Sequence, residues 1–206
     1  MTTTTLILAR HGHVEGIHPE RFRGRMEVPL SARGERQAAA LAARIAAGFT
    51  PAAVYTSDLG RCIATGAAIS QACGIPAEIA PGLGDIDYGA WQWKTHDEVR
   101  ANDPERYAQW RTAPHLVRFP EGESLQDVAV RAADLLRLVL ARHSGASVVL
   151  VGHDSVNRVL LGHLLDLPAA LYWRLAQDPC NLTLLEWSGD AAKLVRLNDV
   201  SHLDGI

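Results

Sequence analysis

The chain has 206 residues, 48% of them hydrophobic and 21% charged, with a formal net charge of -3. That apolar content supplies a sizeable core and excludes intrinsic disorder, and the balanced charge offers no basic field for nucleic acid or anionic lipid. No apolar run approaches the ~20 residues that span a bilayer, so neither a nucleic-acid nor a membrane partner is expected. Met1-Thr2-Thr3-Thr4-Thr5 lacks a basic segment, which predicts no secretory signal. Cys62, Cys73 and Cys180 are odd in number and widely spaced. They form neither a disulfide framework nor a zinc pattern, and a reducing, cytoplasmic setting is expected.

The elements alternate. Leu6-Ile7-Leu8-Ala9 reads as a buried strand that stops at a charged turn. Ser31 then caps a helix whose apolar positions are Ala38, Leu41, Ala42 and Ile45. Val54-Tyr55-Thr56 is a second strand, followed by a helix from about Arg61 to Cys73 that Gly74-Ile75-Pro76 ends. Residues 82–120 are less regular, with one helix expected from His96 to Trp110. Ser124 and Asp127 open a helix with Leu125, Val128, Ala132, Leu135, Leu136 and Val139 on one face. Val148-Val149-Leu150-Val151 is the clearest buried strand. It leads through Gly152-His153-Asp154-Ser155 into a helix with Val156, Val159, Leu160 and Leu164 inward. Asn181 to Trp187 and Lys193 to Leu197 are two late strands. This order predicts an α/β three-layer sandwich, a mostly parallel central sheet with helices on both faces. A single domain over 1–206 is expected, with a small lid-like insert at about 90–122 over the site.

Ligands in such sheets bind beyond the carboxyl ends of the strands. Three polar clusters stand there: Arg10-His11-Gly12, Ser57-Asp58-Leu59-Gly60-Arg61, and Gly152-His153-Asp154. If their strands are parallel neighbours, Arg10, His11, Arg61 and His153 share one rim. Arginine forks match phosphate oxygens, and helix N-termini near Arg61 and Ser155 would add backbone donors. The arginines and any protonated His153 should keep His11 neutral, and a neutral imidazole is a competent nucleophile. The chemistry implied is in-line phosphoryl transfer to His11 and hydrolysis of the phosphohistidine. The arginines supply the charge, so no metal and no other cofactor is expected.

At these residues the chain resembles the histidine phosphatase superfamily, the phosphoglycerate mutase-like, Arg-His-Gly branch. The resemblance rests on Leu6 to Gly12, Arg21, Gly24, Val28-Pro29-Leu30-Ser31, Gly34, Tyr55 to Arg61, Leu83 to Gly89 with Trp91, Gly122-Glu123-Ser124 and Val149 to His153. It implies that His11 is phosphorylated, that Arg10 and Arg61 bind the phosphoryl oxygens, and that His153 stabilises the transition state. It also implies that Asp85 stands where the family usually has a glutamate as general acid; Asp154 is a second candidate. Ile17 replaces a common phosphate-binding asparagine, for which Arg21 or His18 could compensate, and Arg21 is taken as phosphate-binding. His13 and Arg23 are also departures that add positive charge to the loop. The resemblance implies a phosphoric monoester hydrolase for a small phosphorylated metabolite. His153-Asp154-Ser155-Val156-Asn157-Arg158 with Tyr172-Trp173-Arg174 resemble the branch that includes alpha-ribazole phosphatase-like and broad-specificity enzymes. The alternatives are a cofactor-dependent phosphoglycerate mutase and a non-catalytic phospho-ligand binder. A homodimer through the sheet edge is left open.

The remaining candidates read more plainly. His163 is expected to be packed in the core, and His96, His115, His143 and His202 to lie on the surface. Trp91, Trp93 and Trp110 read as core or lid packing. Arg100, Arg106, Arg111 and Arg118 read as a solvated face.

Overall fold

The computed structural model describes residues 2–206. Six strands form one sheet: β1 (Thr4–Arg10), β2 (Pro51–Thr56), β3 (Ala77–Ile79), β4 (Ser147–Gly152), β5 (Leu182–Ser188) and β6 (Ala191–Asp199). Their order is β3-β2-β4-β1-β5-β6. The first four are parallel; β5 pairs antiparallel with β1, and β6 antiparallel with β5. β1 and β4 are central and pair in register from Thr5↔Ser147 to Arg10↔Gly152. Their apolar runs have no polar alternation because both faces are covered. Leu6, Leu8, Val148 and Leu150 face one hydrophobic cluster, and Ile7, Ala9, Val149 and Val151 face the other.

Helices α1 (Ala32–Gly48) and α2 (Gly60–Cys73) cover the second cluster with Ala38, Leu41, Ile45, Cys62 and Ile69. Helices α5 (Leu125–Arg142) and α6 (Asp154–Leu164) cover the first with Val128, Leu136, Val139, Val156 and Leu160. The caps are where the sequence places them. Ser31 Oγ accepts from Gly34 N at 3.1 Å, Ser124 and Asp127 form a reciprocal capping box, and Gly74 closes α2 at φ 69°. Among the described residues no helix is long and apolar enough to cross a membrane.

Several expectations are corrected, and one strand is added. The helix expected from His96 to Trp110 is two, α3 (His96–Asn102) and α4 (Pro104–Thr112). Asp103 precedes a proline, which disfavours helical backbone there; it sits at φ -143°, ψ 62°. β3 is a short edge strand with all three residues exposed, so no apolar run marks it. His163 is exposed rather than packed, because it lies at the margin of the α6 face centred on Val156, Leu160 and Leu164. All four histidines expected on the surface, His96, His115, His143 and His202, are half-buried, and three of them have ring partners. His96 stacks on Phe22, His143 bonds Tyr55 Oη at 2.9 Å, and His202 bonds the Cys180 carbonyl at 2.9 Å.

Residues 81–120 pack through their aromatic side chains. Trp91, Trp110, Phe119 and Tyr88 form an edge-to-face cluster that includes Phe22 from the loop after β1. That loop is also tied by backbone bonds from Phe22 N to Lys94 O and Trp93 N to Phe22 O.

The turn out of β1 is fixed by a close glycine contact. A Cβ on Gly12 would stand 2.5 Å from the Gly34 carbonyl oxygen, and one on Gly34 would overlap the His13 carbonyl. Gly34→Ala is therefore expected to lower stability by about 1–3 kcal/mol. The check is the urea unfolding midpoint at unchanged slope; an unaltered midpoint would show that the loop yields freely.

Candidate active site

The parallel register of β1, β4 and β2 carries the three polar clusters to one end of the sheet. His11 follows β1, and its backbone N donates to Gly152 O at 3.0 Å, where β4 ends. His153 follows β4 and Ser57 follows β2. The His11 and His153 rings are 5.1 Å apart, centroid to centroid, and both are buried.

Each ring has a defined proton. His11 Nδ1 lies 2.7 Å from the Gly12 carbonyl, which can only accept, so Nδ1 carries the hydrogen and Nε2 keeps its lone pair. Burial, then Arg61, His153 and Arg10, hold its pKa well below 6.5. His11 is neutral at pH 7. His153 Nδ1 accepts from Arg61 Nε at 3.3 Å, so its hydrogen is on Nε2, donated to Ser57 Oγ at 2.9 Å. Burial and then Arg61 push its pKa well below 6.5 too. Its 3.6 Å approach to Asp85 Oδ2 is accordingly not an ion pair in this state, because the shared Nδ1 is the acceptor of Arg61.

Arg61 is fully buried at the start of α2. Four of its five N–H groups are held, by His153, Met26 O, Gly24 O and Asp85 Oδ2. In this arrangement it organises the site and supplies its field, with one N–H left over. The backbone donor expected at the start of α2 is engaged as well, since Gly60 N donates to Glu27 Oε2 at 3.2 Å. Arg10 differs: Nη1 donates to Gln177 O at 2.5 Å, while its buried Nε has no partner among the described residues. Arg23, 6% exposed, repeats the pattern, with a bond to Gly16 O at 2.6 Å and a buried, unpartnered Nε.

Arg21 lines a small cavity that Asp85 and Asp154 also line, but its guanidinium is engaged by Trp93. Its guanidinium donates to Trp93 O at 2.7 Å and lies 5.3 Å above the Trp93 ring. The loop arginine that faces Arg10, His153 and Asp154 is Arg23, which sequence reasoning recorded only as extra charge.

The pKa values of the two acidic candidates are shifted in opposite directions. Asp85 is 3% exposed; Oδ1 accepts from Ile86 N at 2.9 Å and Ser155 Oγ at 2.5 Å, and Oδ2 from Arg61 at 3.2 Å. Burial raises its pKa, against the pull of Arg61 and with the push of Asp154. For Asp154 burial also works upward, but Arg10, Arg158 and Arg23 together overcome it and hold the carboxyl well below its ordinary range. Paired titratable groups driven apart by their surroundings are the usual mark of acid and base assignments. Ser57, Ser155 and Gln177 complete the site by fixing His153, Asp85 and Arg10; nothing in their local sequence marks them for those contacts.

Two cavities reach this cluster. One, of about 470 Å³, is lined by Arg10, His13, Arg23, Arg33, Asp154 and Arg158 among others. The other is barely water-sized and lies beneath Tyr88, His96, Trp110 and Trp173 beside Asp85. They share Glu20, Arg23 and Asp154.

The profile of the histidine phosphatase superfamily (branch 1) matches residues 6–200, and the chain belongs to that family. It is 32% identical over 203 residues to a bifunctional protein of Mycobacterium tuberculosis, covering 98% of this chain but only 56% of that one, so it spans about half the length of that relative. Phosphoserine phosphatase 1 of Hydrogenobacter thermophilus is 30% identical over 96% of this chain and 93% of its own. A probable phosphoglycerate mutase of Cronobacter sakazakii is 32% identical over 96% and 94%. Among solved structures, Bacillus stearothermophilus YhfR superposes with a TM-score of 0.91 at 33% identity, over 97% of this chain and 99% of that one. A mycobacterial glucosyl-3-phosphoglycerate phosphatase gives 0.85 at 28% identity, over 94% and 98%.

Proposed function

We propose that this protein is a metal-independent phosphatase that hydrolyses a small phosphorylated metabolite through a phosphohistidine on His11. The observation that carries the reading is a neutral His11 with a free Nε2 lone pair, set among buried arginines of which two have unpartnered Nε–H groups. Nε2 attacks phosphorus as the ester P–O bond breaks, and the leaving alkoxide takes its proton from Asp85. Water then attacks the phosphohistidine and gives its proton to the Asp85 carboxylate; phosphate leaves and His11 is restored. Arg10 and Arg23 hold the equatorial oxygens, and Arg61 supplies fixed positive charge. His153 stabilises the transferring group, whose negative charge draws the imidazole pKa back up. We read residues 90–122 as a short cap over this site within a single domain.

A second reading, phosphoglycerate mutase, is favoured by one relative's name and by the near-complete burial of His11, which limits water. The discriminating experiment follows phosphate release from p-nitrophenyl phosphate and 3-phosphoglycerate with EDTA present, and isomerisation with and without 2,3-bisphosphoglycerate. Metal-independent release is expected. Isomerisation without release would establish the mutase, and tight phosphate-ester binding without either would establish a binder.

A further inference from the structure

The 470 Å³ cavity beside Arg10 is larger than a phosphoryl group requires and lies within the usual range for small-molecule pockets. Its inner wall is Arg10, Arg23 and Arg158 around Asp154. Its outer wall is formed by His13, His18 and Arg33, from the loop after β1 and the first turn of α1. Of the three carboxylates lining the cavity, Asp154 pairs with Arg158 at 3.2 Å, Asp178 accepts from the uncharged amide of Asn198 at 2.6 Å, and Glu20 lies at the rim 3.5 Å from His96, whose imidazole burial holds below its ordinary pKa. Arg33 has neither an ion-pair nor a hydrogen-bond partner among the described residues. It is the second residue of α1, where the helix dipole disfavours a cation. Arg33 and His18 also stand close enough to His13 to add to the effect of burial in holding its imidazole below 6.5. The cavity thus has unpartnered buried donors at its inner end, on Arg10 and Arg23, and one guanidinium without a partner, Arg33, at its outer end beside the imidazoles of His13 and His18.

Building on the hydrolase reading, we propose that His13, His18 and Arg33 form a subsite for a second anionic group on the substrate, a carboxylate or a second phosphate carried by the leaving group. The phosphoryl group sits at Arg10 and Arg23, and the leaving group lies along the cavity with its charge toward Arg33. A phosphomonoester of the same size with an uncharged leaving group forgoes that interaction.

The test compares kcat/KM for 3-phosphoglycerate and glycerol 3-phosphate, which differ by a carboxylate in place of a hydroxymethyl group. A 1,3-propanediol bisphosphate arm, which has a second phosphate and no carboxylate, distinguishes carboxylate from phosphate. The wild type is expected to prefer the more anionic esters, and the preference should weaken as salt is added. Arg33→Gln should reduce it on the order of fivefold, the range for an exposed charge pair. Arg36→Gln, also on α1 but outside the cavity, should leave it in place. If p-nitrophenyl phosphate is hydrolysed but the esters are used equally, or Arg33→Gln slows all of them alike, the subsite is overturned and the hydrolase stands. If p-nitrophenyl phosphate is not hydrolysed by the wild type, both readings fall.

Discussion

Replacing His11 with alanine is expected to reduce phosphate release by at least about 10⁴-fold, the scale on which removal of a nucleophile acts. The site has no substitute. His153 is close, but its Nδ1 lone pair is occupied by Arg61 and its Nε2 carries the hydrogen given to Ser57. Cys62 is 3.4 Å from the same ring, but burial pushes its thiol far above neutral pH, so no thiolate forms. Because His11 is buried, alanine leaves a cavity, and His11→Asn serves as the better-filling companion. Both should retain the circular dichroism of the wild type. Quenching the wild type with substrate labelled in phosphate should trap label on protein in an acid-labile, base-stable linkage, and neither variant should take it up. Turnover within tenfold of wild type in both folded variants would remove His11 as nucleophile.

What the sequence made legible, and what it hid, divides on the range of the forces involved. Leu6 to Ala9 and Val148 to Val151 are apolar without alternation, and only strands covered on both faces use such runs. Ser31, Ser124 and Gly74 are local signals whose caps close within four residues. Placing Arg10, His11, Arg61 and His153 together needed only the rule that parallel strands point their carboxyl ends the same way. The contacts that failed to show are those between distant segments. Whether Arg21 or Arg23 turns inward depends on the pairing of residues 21–22 with 93–95, which points Arg21 at Trp93. Arg61 is occupied by the carbonyls of Gly24 and Met26, and backbone acceptors leave no trace in side-chain pattern. The engagement of Gly60 N by Glu27 is of the same kind. β3 has no buried residue at all, so an apolar pattern could not report it.

Asp85→Asn should separate substrates by their leaving groups. Phosphoryl transfer needs His11 neutral and Asp85 protonated. With ordinary values of 6.5 and 3.8, any pH that neutralises the histidine also ionises the aspartate, and the productive pair would be a minor species everywhere. Burial moves each in the helpful direction, His11 downward and Asp85 upward. The signs set the pH profile. As pH falls through 6.5, kcat/KM for an alkyl ester should hold, because His11 stays neutral. As pH rises through the elevated pKa of Asp85, it should decline, because the acid loses its proton. Asparagine keeps the oxygen that meets Arg61 but has no proton to transfer. The loss for glycerol 3-phosphate should therefore be about 10²–10⁴-fold, against less than about tenfold for p-nitrophenyl phosphate, whose phenolate departs unprotonated. The alkaline limb should vanish in the variant. Asp154→Asn should show no such discrimination, since Arg10, Arg158 and Arg23 hold that carboxyl ionised. Equal losses on both esters in Asp85→Asn, or survival of the alkaline limb, would assign Asp85 to holding Arg61 and Ser155 instead of to proton transfer, and would return the search for the acid to the other groups around the cavity.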